Sequence, residues 1–541
     1  MTYKKLTRRN FLKDSGVAAA AIFMSDGLLN RIRNSNVAPQ EFDILIKNGL
    51  IIDGSGNQGF KGSVGVIGDE IAAIGDLKDA AGKITIDASG QVIAPGFINI
   101  HSHTLEGIIN LPGLSSIMQG LTTELSGNCG GSQGPTGDGK NIGDYLNDMS
   151  KEKLGLNFAT LVGQGTIRRL VIGEEGREPT SAELQKMKAL VEEAVQGGAF
   201  GLSTGLEYTP GSFAKTPELI ELSRVLKRYN LLYASHMRSE DNFLLEAVKE
   251  ALTIGKEAGC PVQISHLKVQ GEPNWGKIDT VFATIEAASK ERGNVHFDRY
   301  PYTAYSTGLS NLFPVWSREG GNTRFKERLQ DEKLAEKIKS YVIDKVKSLG
   351  SWHSIMITRM RGEDSKYAGW RMDDIALDKK KDPYEVALAM MLSGGTGTVC
   401  FGMSEENTKR ILAHPLCMIC TDGSAQAAGL GAGHPRVFGS FPRVLGYYTR
   451  EQKIFDLPTA IHKMTALPAE KLRLEKRGRI RRGCYADIVI FNPETIKDTA
   501  TYEDPKQYPV GISHVLVNGQ IAVRNGEHTG TLAGRVIRSQ T

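Results

Sequence analysis

Two Gly-punctuated blocks of short apolar alternation flank a long middle in which apolar runs alternate with amphipathic stretches such as Thr180 to Val195 and Asp241 to Ala258. That texture predicts an α/β protein: a (β/α)8 TIM-like barrel with a small β-sandwich domain built from both chain ends. Length agrees, because 541 residues at ~150 residues per domain accommodate one large barrel with attachments. Hydrophobic residues at 40% and charged residues at 23% exclude a disordered chain, and six Cys are too few for a disulfide scaffold. The formal net charge of +5 is too small to mark a nucleic-acid binder.

The first forty residues read as an address. Thr7-Arg8-Arg9-Asn10-Phe11-Leu12-Lys13 precedes an apolar run from Val17 to Met24, too short to span ~30 Å of hydrocarbon. The order of these features resembles a twin-arginine export signal, which implies engagement of that export machinery, folding before export and a periplasmic or exported product. Residues 1–38 hold seven Lys and Arg against two Asp, so the whole +5 lies there. The remainder of the chain is neutral and contains no apolar stretch long enough for a stable membrane span.

From Asp43 to Val92 the alternations Ile44-Leu45-Ile46, Leu50-Ile51-Ile52, Val64-Gly65-Val66, Ile71 to Ile74 and Ile84-Thr85-Ile86 read as short strands. A matching block follows at Ala486 to Phe491 and His514 to Gly519. Residues 41–95 and 468–541 should therefore pair as the sandwich. Within residues 96–467, eight strands are expected around Phe97–His101, Thr122–Leu125, Phe158–Gly163, Phe200–Gly205, Leu231–His236, Val262–His266, Val295–Tyr300 and Cys417–Thr421. The Lys-, Glu- and Asp-rich stretch 318–382 reads as a helical insertion between the seventh and eighth, and the runs Ser354–Ile357 and Thr398–Phe401 belong to the same excursion.

The chemistry begins where the first barrel strand ends, in Gly96-Phe97-Ile98-Asn99-Ile100-His101-Ser102-His103. Residues two apart on a strand share a face, so His101 and His103 can share a metal. An isolated His-x-His is more often an ordinary pair of histidines. Here it falls at the C-terminal end of a barrel strand, where such barrels place their active sites. His236, His266 and Asp422 close the fifth, sixth and eighth strands. One such residue is bland; four His and an Asp at strand ends are a constellation. Strand two ends in Gly127-Asn128-Cys129-Gly130, which offers a thiolate suited to zinc.

This pattern resembles the amidohydrolase superfamily, and the Gly-Asn-Cys-Gly element is similar to its D-aminoacylase branch. Strand four carries no bridging Lys, which that branch replaces with a Cys. Further similar elements are Gly205-Leu206-Glu207-Tyr208-Thr209-Pro210, His266-Leu267-Lys268, Asp298-Arg299-Tyr300-Pro301-Tyr302 and His434-Pro435-Arg436-Val437-Phe438-Gly439. One departure is Thr104-Leu105 after His-x-His, where the branch often shows two acidic residues.

The resemblance implies zinc-dependent hydrolysis of N-acyl-D-amino acids to a carboxylate and a free D-amino acid. It also implies one tightly bound zinc on Cys129, His236 and His266, in a centre of one or two metal ions that His101 and His103 also surround, any second site being the weaker. Asp422 would be the general base, with Tyr208, Lys268, Tyr300, Ser306 and Arg436 around a small-molecule substrate bearing a free carboxylate. Lys268 shares a strand face with His266, and the Arg436 fork suits a carboxylate.

The alternatives are a hydantoinase- or dihydroorotase-like cyclic-amide hydrolase, disfavoured by Cys129 and the missing Lys, and a metal-free binding scaffold. The basic run Lys471, Arg473, Lys476, Arg477, Arg479, Arg481, Arg482 lacks interleaved aromatics and reads as a solvated loop, with no nucleic-acid partner expected. Cys417 and Cys420, three apart on a strand, face opposite ways and read as packing residues. Gly429 to Gly433 lacks a phosphate-loop Lys and reads as a loop ahead of Arg436.

Overall fold

The computed structural model describes residues 41–105, 107–360, 362–429 and 431–540. The export-signal expectation lies outside these residues. The first five strands are β1 (Phe42–Ile51), β2 (Phe60–Ile67), β3 (Glu70–Gly75), β4 (Gly82–Asp87) and β5 (Val92–Pro95).

Parallel strands follow: β6 (Phe97–Asn99), β7 (Leu121–Ser126), β8 (Asn157–Thr160), β9 (Val162–Gly163), β10 (Gly201–Gly205), β11 (Leu232–His236), β12 (Val262–Ile264) and β13 (Val295–Arg299). Then come β14 (Ala304–Gly308), β15 (Ile355–Arg359), β16 (Gly397–Phe401) and β17 (Cys417–Ile419). The chain finishes with β18 (Ile488–Phe491), β19 (Ile512–Val517), β20 (Gln520–Arg524) and β21 (Glu527–His528).

Strands β6-β7-β8 and β9-β10-β11-β12-β13-β17 form two parallel sheets in those orders. Only Leu161 separates β8 from β9, and its N–H donates to Ser126 O at 2.9 Å. At the other edge, Ser102 bridges Gly423 in parallel, and the Asp422 N–H donates to His101 O at 3.0 Å. Strand one and strand eight are thus joined at their C-terminal ends. Helices cover the crossovers. Ser181–Gln196 starts in a capping box between Thr180 and Glu183, and Leu244–Ala258 stops at Gly259, whose φ of 71° supplies the left-handed cap. Their apolar faces, with Met187, Val191, Val248 and Ala251, join one buried cluster with Val262 and Phe297.

The terminal blocks do pair, yet hydrogen bonding makes one sheet of them, in the order β21-β20-β19-β18-β5-β1-β2-β3, with β4 also on β1. Two separate layers are expected from the sequence. The ten-residue β1 explains the difference: its first half pairs β4, its last residues pair β5, and a register shift between Ile46 and Gly49 bends it against β2. Ile44, Ile46, Val64, Ile93, Ile488 and Leu516 share the core this sheet encloses.

Between β13 and β17 the chain leaves the parallel sheet. Helices Gly321–Gln330, Glu332–Ser348, Met372–Lys379 and Pro383–Ser393 accompany an antiparallel sheet of order β14-β16-β15. The excursion is therefore not purely helical, and its strands extend beyond 318–382. Phe313, Phe325, Ile338, Val342 and Ile355 pack in one cluster with Ile100, Leu125 and Tyr300 from the parallel strands. It sits over the strand ends and walls the site. No helix of the described residues is long and apolar enough to cross a membrane.

The basic run is not the uniformly solvated loop the sequence suggests. Arg477 is buried against Asp487, Lys476 and Arg479 pair with Glu70 and Glu470, and the Lys471 amine donates to Val262 O and Asn294 O. These residues clamp the two chain ends to the parallel strands. Cys417 and Cys420 are fully buried, and burial pushes the Cys417 thiol up to about 12.

Candidate metal centre and substrate cavity

The parallel strands deliver their end residues to one place. His101, His103, Cys129 and Asp422 form one set of donor atoms that all lie within 4.8 Å of one another, and Cys129, His236 and His266 form a second. Cys129 belongs to both. Its Sγ lies 3.3 Å from His101 Nε2 and 3.5 Å from His266 Nε2. Asp422 Oδ1 stands 3.0 Å from His103 Nε2 and 3.4 Å from His101 Nε2.

The backbone works to achieve this. Cys129, His266 and Asp422 have φ of 53°, 36° and 48°, in the left-handed region that non-glycine residues avoid. Such strain persists only where the surroundings over-determine it, and it clusters at functional sites. The Cys129 loop can settle against strand β10 only because position 205 is glycine: a Cβ there would stand 2.1 Å from Cys129 O.

The electrostatics favour positive charge. Burial opposes ionisation of the Cys129 thiol, but His101 and His266 hold it well below its ordinary value. Burial likewise opposes protonation of the histidines. Asp422 and Cys129 nevertheless raise His103 to about 9, and Glu240 with Cys129 and Glu207 raises His236 to about 10. A divalent cation answers the same field. The donor set is also right for one: a thiolate with imidazoles, and both ring nitrogens of the buried His236 have no hydrogen-bond partner.

Ten of the eleven residues singled out in the sequence line a single cavity of about 660 Å³. His101 is the exception, packed behind it with Nδ1 donating to Asp298 Oδ1 at 3.0 Å. Arg436, the first residue of helix Arg436–Arg443, donates from Nη1 to Asp422 Oδ2 at 2.6 Å. Its guanidinium lies 4.6 Å over the Tyr300 ring. The Tyr300 hydroxyl is buried without a partner. The Tyr208 hydroxyl meets Thr307 Oγ1 at 3.3 Å, and Ser306 reaches the cavity from strand β14 of the excursion. Lys268 Nζ donates to Glu240 Oε1 at 2.6 Å. Of the two residues that depart from the similar pattern, Thr104 is buried with Oγ1 accepting from the Ala425 N–H at 2.8 Å, and Leu105 lines the cavity.

Two carboxylates escape the sequence reading. Asp298 accepts from His101 Nδ1 and, at 2.8 Å, from both the His266 N–H and Gln263 Nε2. Glu240 lies 3.0 Å from His266 Nδ1 and accepts from Gln270 Nε2 at 2.7 Å. Both are fully buried. Each fixes an imidazole by its far nitrogen, the usual support of a metal-ligating histidine. Asp298 stood in a quoted motif, and its position on the seventh strand, facing inward between the first and sixth, was the available signal. Glu240 follows strand five in a polar Arg238-Ser239-Glu240-Asp241 loop that gives none.

Parallel strand ends, a Cys/His/Asp donor set and a walled cavity together define a metal-dependent hydrolase. Comparisons agree. The sequence model described as "Amidohydrolase family" matches residues 406–523. A D-aminoacylase of Alcaligenes xylosoxydans xylosoxydans is 36% identical over 516 residues, which cover 92% of this chain and 98% of that protein. An N-acyl-D-glutamate deacylase of the same organism is 34% identical over 498 residues, covering 89% and 93%. The crystal structure of N-acyl-D-glutamate deacylase from Bordetella bronchiseptica, complexed with zinc and a phosphonate inhibitor that mimics the tetrahedral intermediate, superposes with a TM-score of 0.78. It is 33% identical, covering 92% of this chain and 100% of that one. The chain belongs to the D-aminoacylase family of amidohydrolases.

Proposed function

We propose that this protein is a zinc enzyme that hydrolyses the amide bond of N-acyl-D-amino acids to a carboxylate and a free D-amino acid. The observation that carries the reading is Cys129 shared by two donor sets, one with His236 and His266 and one with His101, His103 and Asp422. We read the parallel strands as a (β/α)8 barrel over residues 96–467 and the terminal strands, 41–95 and 468–541, as its companion β-domain. Residues 1–38 are read as an export signal, which makes the product periplasmic or exported.

Cys129, His236 and His266 would hold the tighter zinc, and His101 and His103 with Cys129 and Asp422 the weaker one. A zinc ion so held supplies Lewis acidity, lowering the pKa of water and polarising the amide carbonyl. Asp422 accepts the proton of the attacking water and delivers it to the departing nitrogen. Burial raises its pKa, but Arg436, His266 and His101 outweigh that and keep the carboxyl ionised. Arg436, Lys268, Tyr300 and Ser306 bind the substrate carboxylate. The partnerless Tyr300 hydroxyl and Arg436 Nε are the groups such an anion would satisfy. Tyr208, beside His236 with ring centroids 4.7 Å apart, donates to the amide oxygen.

A cyclic-amide hydrolase is less well supported, because strand β10 offers Glu207, not a Lys, at its end. A metal-free scaffold would leave both buried ring nitrogens of His236 without a hydrogen bond to no purpose. The deciding experiment incubates purified, zinc-loaded protein with paired N-acetyl-D- and N-acetyl-L-amino acids. Release of only the D-amino acids is expected; hydrolysis of only L-substrates, or of none, overturns the assignment.

A further inference from the structure

A second cavity of about 840 Å³ adjoins the catalytic one. The two share four wall residues, Ser306, Thr307, Gly308 and Arg359. Among the described residues neither Asp nor Glu lines the second cavity, and the charged ones that do are Arg359 and Lys506. Its other polar groups include the hydroxyls of Ser310, Thr358, Ser365 and Thr396. It is a cationic, hydroxyl-rich chamber that shares a wall with the active site.

Arg359 stands in the wall the two cavities share. It ends β15, where a register shift between Ile357 and Arg359 breaks the regular pairing with β16 and re-aims the side chain. Arg359 lies opposite Gly397, and Gly397 lies opposite Gly308. Two adjacent strands thus present no side chain at the positions level with Arg359. The other arginine described in the two walls, Arg436, donates from Nη1 to Asp422. Arg359 is exposed, and its guanidinium forms no hydrogen bond or ion pair with another described residue. A free five-donor fork in a wall with no described carboxylate is suited to an anion brought by the ligand.

The α-carboxylate is proposed above to lie on Lys268, Arg436, Tyr300 and Ser306. Arg359 lines the same cavity beside Ser306, Thr307 and Gly308, and offers a separate cation for a second anion on the substrate.

We propose that Arg359 selects N-acyl-D-amino acids whose side chain ends in an anion, a carboxylate being the simplest. The inference rests on the proposed deacylase reading and deepens it. One charge-assisted hydrogen bond to a ligand changes affinity by about tenfold to a hundredfold.

The test compares kcat/KM of the zinc-loaded protein for N-acetyl-D-glutamate and for N-acetyl-D-glutamine, a neutral isostere. The wild type is expected to favour the glutamate substrate by about tenfold or more. Arg359→Gln should bring the ratio near one, chiefly through KM for the glutamate substrate. Arg359→Lys should fall between. Measurable turnover of N-acetyl-D-glutamine by each variant shows that it is folded. Equal rates on the two substrates in the wild type, or a preference that survives Arg359→Gln, overturns the proposal. A preference for N-succinyl-D-leucine over N-acetyl-D-leucine without one for D-glutamate would move the anion to the acyl group and equally refute the side-chain assignment. Failure to hydrolyse any D-substrate refutes the deacylase reading itself.

Discussion

The two ends of the same parallel strands have opposite electrostatics. At the C-terminal ends, Cys129, Asp422, Asp298 and Glu240 converge, and the field draws His103 up to about 9 and His236 up to about 10. At the N-terminal ends, two lysines from consecutive helices plug the sheet. Lys463 donates to His414 O and Cys417 O below β17, and Lys471 to Val262 O and Asn294 O below β12 and β13. Burial pushes the Lys463 ammonium down and takes Lys471 to about 7. His296, half-buried beside Lys471, falls to about 3. One end is built to hold a cation and the other to shed protons. The difference comes from what each end must do: carbonyls at the base need donors, whereas the top gathers anions whose mutual repulsion only added positive charge relieves.

Breaking the top end should have the largest effect. Cys129→Ala removes the thiolate common to both donor sets. It should abolish stoichiometric zinc and lower turnover by about a thousandfold or more, checked by metal analysis beside a rate assay. The supporting carboxylates come next. Glu240→Gln or Asp298→Asn leaves every proposed ligand in place but frees an imidazole, and should cost about 10–100-fold in zinc affinity or rate, read from a chelator titration.

The excursion that walls the site should respond in stability, not chemistry. Lys345 of helix Glu332–Ser348 makes a buried pair with Asp241 in the loop after β11. Lys345→Met leaves that carboxylate unpaired and should cost about 3–5 kcal/mol, checked by denaturant unfolding.

The most gradual effect lies at the base. The folded-state pKa of Lys471, about 7, is below its ordinary 10.5. Between those values the unfolded chain holds a proton that the native state lacks, so stability rises with pH. Lys471→Met should remove that rise, worth at most about 1.4 kcal/mol per pH unit, in melting curves between pH 7 and 10.

The top end was the more legible of the two in the sequence. Strand periodicity placed His101 with His103, and strand ends placed His236, His266 and Asp422, because ligands obey the spacing of the element that carries them. Residues that act through others do not. Asp298 and Glu240 meet their histidines across strands, and Arg359 reaches the cavity by a bulge in an excursion sheet that no barrel count anticipates. The base was misread for the opposite reason. Lys471 and Arg477 sit in a basic run that resembles a solvated loop, and only the tertiary fold shows that their partners are strand-end carbonyls and the buried Asp487. The terminal strands were found, but their joining into one sheet depends on the bend in β1, which the alternation of apolar residues does not encode.

The central claim is that the strand ends divide the work, with Cys129 and the histidines binding metal and Asp422 moving the proton. Zinc content and turnover of Asp422→Asn, measured on the same preparation, test it most directly. Near-stoichiometric zinc on Cys129, His236 and His266, with turnover on an N-acetyl-D-amino acid lowered by about 10²–10⁴-fold, is the predicted result. Turnover close to wild type with zinc bound would contradict it.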